Sequence, residues 1–167
     1  MVSGGPGAYL WLDLRNADRQ ATVSALRMIY HPTPEQTEVD YTVNDEPDQH
    51  AVLASTGAGS EVLQIKGNEP ISTVKLEVNT GRLVLHGFIQ DYDTPPQVTF
   101  DAFGIPGSTA RGWMMADPTY LANALRGVDY DAVALEYGTN EGNDTRFDRD
   151  KYATNLTAAL ANMRVVF

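Results

Sequence analysis

The chain has 167 residues, a formal charge of −10, 43% hydrophobic and 20% charged residues, and no cysteine. This is the balance of a folded protein of one ordinary domain or two small ones, and its acidity excludes a nucleic-acid backbone as partner, which takes clustered Lys and Arg. The missing cysteines exclude disulfides, thiolate catalysis and cysteine-based zinc sites together, and no run approaches the ~18 apolar residues of a membrane span.

The opening "MVSGGPGAYL" has no basic segment leading into an apolar one, so no signal peptide is predicted. "AYLWLDL" reads as a strand in which Tyr9, Trp11 and Asp13 alternate with Leu10, Leu12 and Leu14. "TVSALRMIYH" follows, with Val23, Ala25, Arg27 and Ile29 on one side and Leu26, Met28 and Tyr30 on the other. "EVDYTVND", "EVLQIKG", "STVKLEVNTG" and "GRLVLHGFIQDY" complete a set of short runs. Each alternates or is β-branched, and each is bounded by Gly, Pro, Asn or Asp. Residues 79–81, "NTG", predict a tight hairpin, because Asn and Gly tolerate positive φ. Strands at roughly ten-residue spacing predict an antiparallel sandwich of the jelly-roll kind over residues 1–93.

The pattern changes at "DYDTPPQ", residues 91–97, where two prolines rule out a central strand. From residue 94 to 167 the reading is α/β. "VTFDAFG" predicts a strand. "DPTYLANALRG" predicts a helix with Asp117 at the N-cap, Pro118 at the first helical position and Gly127 past the end. "YDAVALEYG" predicts a buried parallel strand. "FDRDKYATNLTAALANM" predicts a helix carrying Tyr152, Leu156, Leu160 and Met163 on one face, with Asp150 supporting its N-terminus, and "RVVF" predicts the start of a strand. The order β-α-β-α-β is that of a parallel sheet. Three strands and two helices leave open edges, which a partner segment or the sandwich would have to cover.

In open α/β sheets ligands bind beyond the carboxyl ends of the strands. Two such ends carry "FGIPGSTARGW" (103–113) and "YGTNEGND" (137–144). Acyl transfer needs N–H donors for the oxyanion. A glycine amide allows close approach and an asparagine carboxamide gives a donor that does not titrate, so Gly107 and Asn140 are the candidates. Ser108 follows the glycine but has no histidine in the α/β part, which makes it a weak nucleophile. His31, His50 and His86 are scattered and form no HExxH pattern, so neither metal nor cofactor is predicted. The acids at 45–48 and 144–150 read as solvated loops and a helix start. Tyr9, Trp11, Tyr30 and Tyr41 are candidates for a sugar-stacking face, although such aromatics are more often core or cross-strand pairs.

Taken in order, "FDAFGIPGSTARGWM", "DAVALEYGTNEGND" and "DRDKYATNLTAALANMR" resemble the SGNH (GDSL-type) hydrolases. The similarity is to the branch with a "YGTNE" block, typical of bacterial peptidoglycan O-acetyl esterases. That branch usually reads Gly-Ile-Asn-Gly-Ala where this chain reads Gly-Ile-Pro-Gly-Ser. The resemblance covers residues ~82–167 by motif and the first part by architecture, since some members insert a jelly-roll, carbohydrate-binding-module-like domain before the glycine block. It implies a partial flavodoxin-like parallel unit after the sandwich. It also implies Gly107 and Asn140 as oxyanion donors, with Glu141 bracing the loop by accepting backbone N–H bonds. The substrate class implied is acylated carbohydrate or peptidoglycan, in an extracellular or periplasmic setting. The family's Gly-Asp-Ser block and its Asp-x-x-His block are both absent from this sequence. The expectation is therefore the middle of an esterase, inactive alone and completed by missing hydrolase segments or another chain. The rival expectation is a non-catalytic carbohydrate-binding or assembly module.

Overall fold

Alternation sorts the first part of the chain into two sheets. In a computed structural model, which describes residues 2–15, 22–56, 59–93, 98–103, 107–126 and 128–167, the chain divides into two compact units, Met1–Thr99 and Phe100–Phe167. The first holds eight strands: β1 (Val2–Gly4), β2 (Tyr9–Asp13), β3 (Val23–His31), β4 (Thr37–Val43), β5 (Gln49–Leu53), β6 (Glu61–Ile65), β7 (Thr73–Thr80) and β8 (Leu83–Tyr92). They form two antiparallel four-stranded sheets, ordered β1-β8-β3-β6 and β2-β7-β4-β5.

The inward positions of both sheets meet in one apolar core. Leu26, Met28 and Ile65 come from one sheet, Val39, Val43 and Val74 from the other, and all six are at most 1% exposed. Burying each such side chain contributes about 1.5–3 kcal/mol. Strand β3 departs from the simple two-sided reading. A register shift lies between Val23 and Ala25, so Val23 joins the core with Leu26, Met28 and Tyr30. A bulge adds one residue and flips the parity of what precedes it.

The "NTG" segment is not a hairpin. β7 and β8 belong to different sheets, and the chain crosses from one to the other between them. Gly81, at φ +71, makes that crossing. A Cβ there would collide with the Gln36 carbonyl oxygen and lie 2.8 Å from the Thr37 Cα. Thr37, 4% exposed, locks the crossing, its hydroxyl donating to the Arg82 carbonyl at 3.0 Å and accepting from the Arg82 N–H at 3.1 Å.

Of the proposed aromatic face, Tyr30 and Tyr41 are core residues, 5% and 9% exposed. Tyr9 and Trp11 do point to solvent. The loop after β4 is less idle than its acids suggest. Asn44 Oδ1 accepts from Ser72 N and Thr73 N, and Glu46 Oε1 from Asn68 N.

The second unit holds helices α1 (Ala110–Met115), α2 (Pro118–Ala124), α3 (Thr139–Gly142) and α4 (Arg149–Val166). The Asp117 side chain accepts from Thr119 N and Tyr120 N with Pro118 at N1. Gly127, the predicted helix stop, lies outside the described residues, as do residues 94–97 and 104–106. The predicted strands need correction. Residues 98–103 and 132–137 form no strand, and "RVVF" continues α4 through Val166. The Phe167 N–H donates to the Met163 carbonyl at 2.9 Å, a helical bond where a strand was expected. The packed stripe of α4 also shifts: Ala159 and Met163 are buried, while Leu160 is 41% exposed.

Candidate functional site

The loop after Tyr137 turns sharply because Gly138 takes φ +123, a backbone state that favours glycine. Four residues of helix follow. This puts Asn140 and Glu141 in the first turn of α3 and aims both at the segment that starts α1.

Glu141 makes two bonds in two directions. Its Oε2 accepts the Gly138 N–H at 3.2 Å, closing its own turn, and its Oε1 accepts the Ala110 N–H at 2.7 Å, thirty-one residues earlier. Ala110 is fully buried, and the N-cap residue of α1, Thr109, makes no side-chain cap bond. Glu141 therefore does what a local cap would do. It satisfies an orphan N–H at a helix start and sets a negative charge where the helix end favours it. Tyr152 on α4 backs the turn, its hydroxyl donating to the Tyr137 carbonyl at 3.4 Å.

Asn140 ties the two loops together. Its Nδ2 donates to the Ser108 carbonyl at 2.7 Å. A carboxamide nitrogen carries two hydrogens, so this bond fixes the group and leaves a second donor hydrogen. Gly107 precedes Ser108 and stands at φ +77; Gly107 and Asn140 are both exposed to solvent. Three of the residues singled out from sequence, Gly107, Asn140 and Glu141, thus lie on two loops joined by two hydrogen bonds. The Ser108 carbonyl accepts from Asn140.

The rest of the unit holds these loops from behind. Asn162 Nδ2 lies 3.0, 3.0 and 3.2 Å from the carbonyl oxygens of Trp113, Met114 and Ala116, and its two hydrogens, shared among them, tie the open end of α1 to α4. Phe103, Trp113, Tyr130 and Phe167 pack edge-on and tilted, with Tyr130 and Phe167 centroids 5.1 Å apart. Burial, and then the hydrogen-bonded Asp101 carboxylate at 2.8 Å, push the Tyr130 hydroxyl well above its ordinary range. The capping role of Asn162 was not foreseen; a helix-interior asparagine on the packed face is the signal that would have found it.

Among the described residues no group of three or more His, Cys, Asp and Glu side chains is placed to hold a metal ion. No helix among the described residues is long and apolar enough to cross a membrane. Comparison with protein-family models finds no match, and comparison with curated proteins finds none either.

Proposed function

We propose that the chain is the central part of a serine-type SGNH acyl esterase acting on O-acylated carbohydrate or peptidoglycan, outside the cytoplasm. It supplies the oxyanion hole, and other segments or another chain supply the nucleophile and base. In this reading the sandwich is of the jelly-roll kind and the second unit is part of a flavodoxin-like layer.

The observation that supports the reading is the 2.7 Å bond between the Asn140 carboxamide and the carbonyl of Ser108, the residue that follows Gly107. A serine attacking an ester carbonyl turns its oxygen into an oxyanion. The Gly107 N–H and the free Nδ2 hydrogen of Asn140 would donate to that oxygen. Collapse expels the alcohol, protonated by the histidine, and leaves an acyl-serine. Water activated by the same histidine then releases the acid. Glu141 acts as a positioning residue by fixing both loops. Segments 98–103 and 132–137, which form no strand, carry the exposed side chains of Phe100, at 86%, and Val133, at 47%. They offer backbone and apolar surface to the missing segments.

The alternative is a non-catalytic carbohydrate-binding or assembly module, favoured by the exposed Tyr9 and Trp11 on the sandwich. Hydrolysis of 4-nitrophenyl acetate separates the two. The chain alone is expected to be inactive, and fusion to segments bearing Gly-Asp-Ser and Asp-x-x-His is expected to give turnover. A folded fusion with no turnover would favour the alternative.

A further inference from the structure

We infer that the outer face of the β2-β7-β4-β5 sheet is a binding site for a neutral polysaccharide chain. This is independent of the esterase reading and rests on the alternative one, whose surface and ligand class it names. Tyr9 and Trp11 are 74% and 62% exposed. They sit two residues apart on β2, so both project from the same side of the sheet, about 7 Å apart along the strand. Strand β2 is an edge strand, and a linear polymer can run past the border of the sheet there.

What stands beside the aromatics selects the ligand. Tyr9 pairs in register with Glu77, and Trp11 with Lys75. One strand further, Asp40 pairs with Glu77, and then His50 with Asp40. Lys75 and Glu77 are 3.5 Å apart, and His50 Nδ1 is 2.8 Å from Asp40. The face therefore runs from an aromatic edge into charged donors and acceptors at strand steps of about 5 Å. A protein interface would instead surround aromatic anchors with apolar contacts that exclude water and keep charge to the rim. A sugar ring has both halves of this chemistry. Its C–H face stacks on an aromatic ring, and its hydroxyls bond to carboxylate, ammonium and imidazole groups. The carboxylates Glu77 and Asp40 outweigh Lys75, so uronate and phosphate polymers are disfavoured and a neutral glycan is favoured.

The test is tryptophan fluorescence and calorimetry of the full chain with cellohexaose, chitohexaose and polygalacturonate. A neutral hexasaccharide is expected to bind and to perturb Trp11 emission, with polygalacturonate weaker. Trp11→Ala should lower affinity by about tenfold or more, Tyr9→Ala should act in the same direction, and Trp11→Phe should restore most of the binding. Trp113→Phe should leave the response intact. No response to either hexasaccharide, unchanged affinity in Trp11→Ala, or tighter binding of polygalacturonate would each overturn the assignment. Self-association abolished by Trp11→Ala, without glycan binding, would give the face to a second copy of the chain and overturn it too. These readouts involve no catalysis, so their failure leaves the esterase reading where it stands.

Discussion

Glu141 carries more of the local architecture than any neighbour in its loop. It links the start of α1 to the turn before α3, and the N–H it accepts at 2.7 Å belongs to a fully buried residue. Removing it strands that donor, at a cost of about 1–2 kcal/mol. Glu141→Ala should speed hydrogen exchange at the Ala110 amide by about tenfold or more, and Glu141→Gln, which keeps an acceptor oxygen, by less. Unchanged exchange would show that another group holds the Ala110 N–H. His86 gives a second prediction. Burial, and then the nearby His31, hold its pKa below 6.5 in the folded chain. The unfolded chain therefore takes up a proton first as pH falls, and the stability His86 contributes is present above the unfolded pKa and lost as pH drops through it toward the folded value. The gap in urea midpoint between pH 7.5 and 5.5 should be smaller in His86→Gln than in the parent; an equal gap would contradict this. The glycine turn and the Asn140 and Glu141 that follow it stand out in the sequence, because few contexts need Gly, a carboxamide and a carboxylate within four residues. The partners of those side chains do not. No local pattern says that Glu141 reaches Ala110 rather than solvent.

Elements with a clean two-residue period are legible in the sequence. β2, β4, β6, β7 and β8 fall where alternation puts them, and α2 starts at the Asp117-Pro118 pair. β1 and β5 were missed. β1 is three residues long within a glycine-rich stretch, and β5 follows an acidic turn that hides its alternation. The apolar run Ala132–Leu135 was read as a buried strand. Periodicity cannot supply the pairing that makes a strand, and burial there depends on what lies alongside. The crossing at Gly81 was read as a hairpin because the local signal for a tight turn is the same whether the chain folds back or changes sheet. Gly81→Ala tests the crossing. Positive φ alone costs about 1–2 kcal/mol, and the collision with Gln36 and Thr37 adds to it. A loss of at least ~2 kcal/mol in urea unfolding is expected, and a loss below ~0.5 kcal/mol would mean that the β4 start yields easily.

Across the whole chain the two units differ in how completely they bury themselves. The sandwich closes a two-sheet core with side chains at 0–1% exposure, whereas among the described residues of the second unit the buried ones are Ala110, Ala124, Ala159 and Met163. Three alanines and one methionine remove little apolar area from water, and Phe100, Met115, Val133, Phe147 and Val165 remain exposed. A unit built this way gains from an added segment, and the expectation of a partner rests on that physical deficit as well as on the sequence blocks. We propose that the Asn140 carboxamide and the Gly107 amide serve one oxyanion, and kcat for acetyl ester hydrolysis in a fusion to segments bearing Gly-Asp-Ser and Asp-x-x-His tests this most directly. Asn140→Ala should lower kcat by about 100-fold or more with little change in KM, because the donor acts on charge that develops only in the transition state. Near-normal kcat in a correctly folded Asn140→Ala enzyme would contradict it.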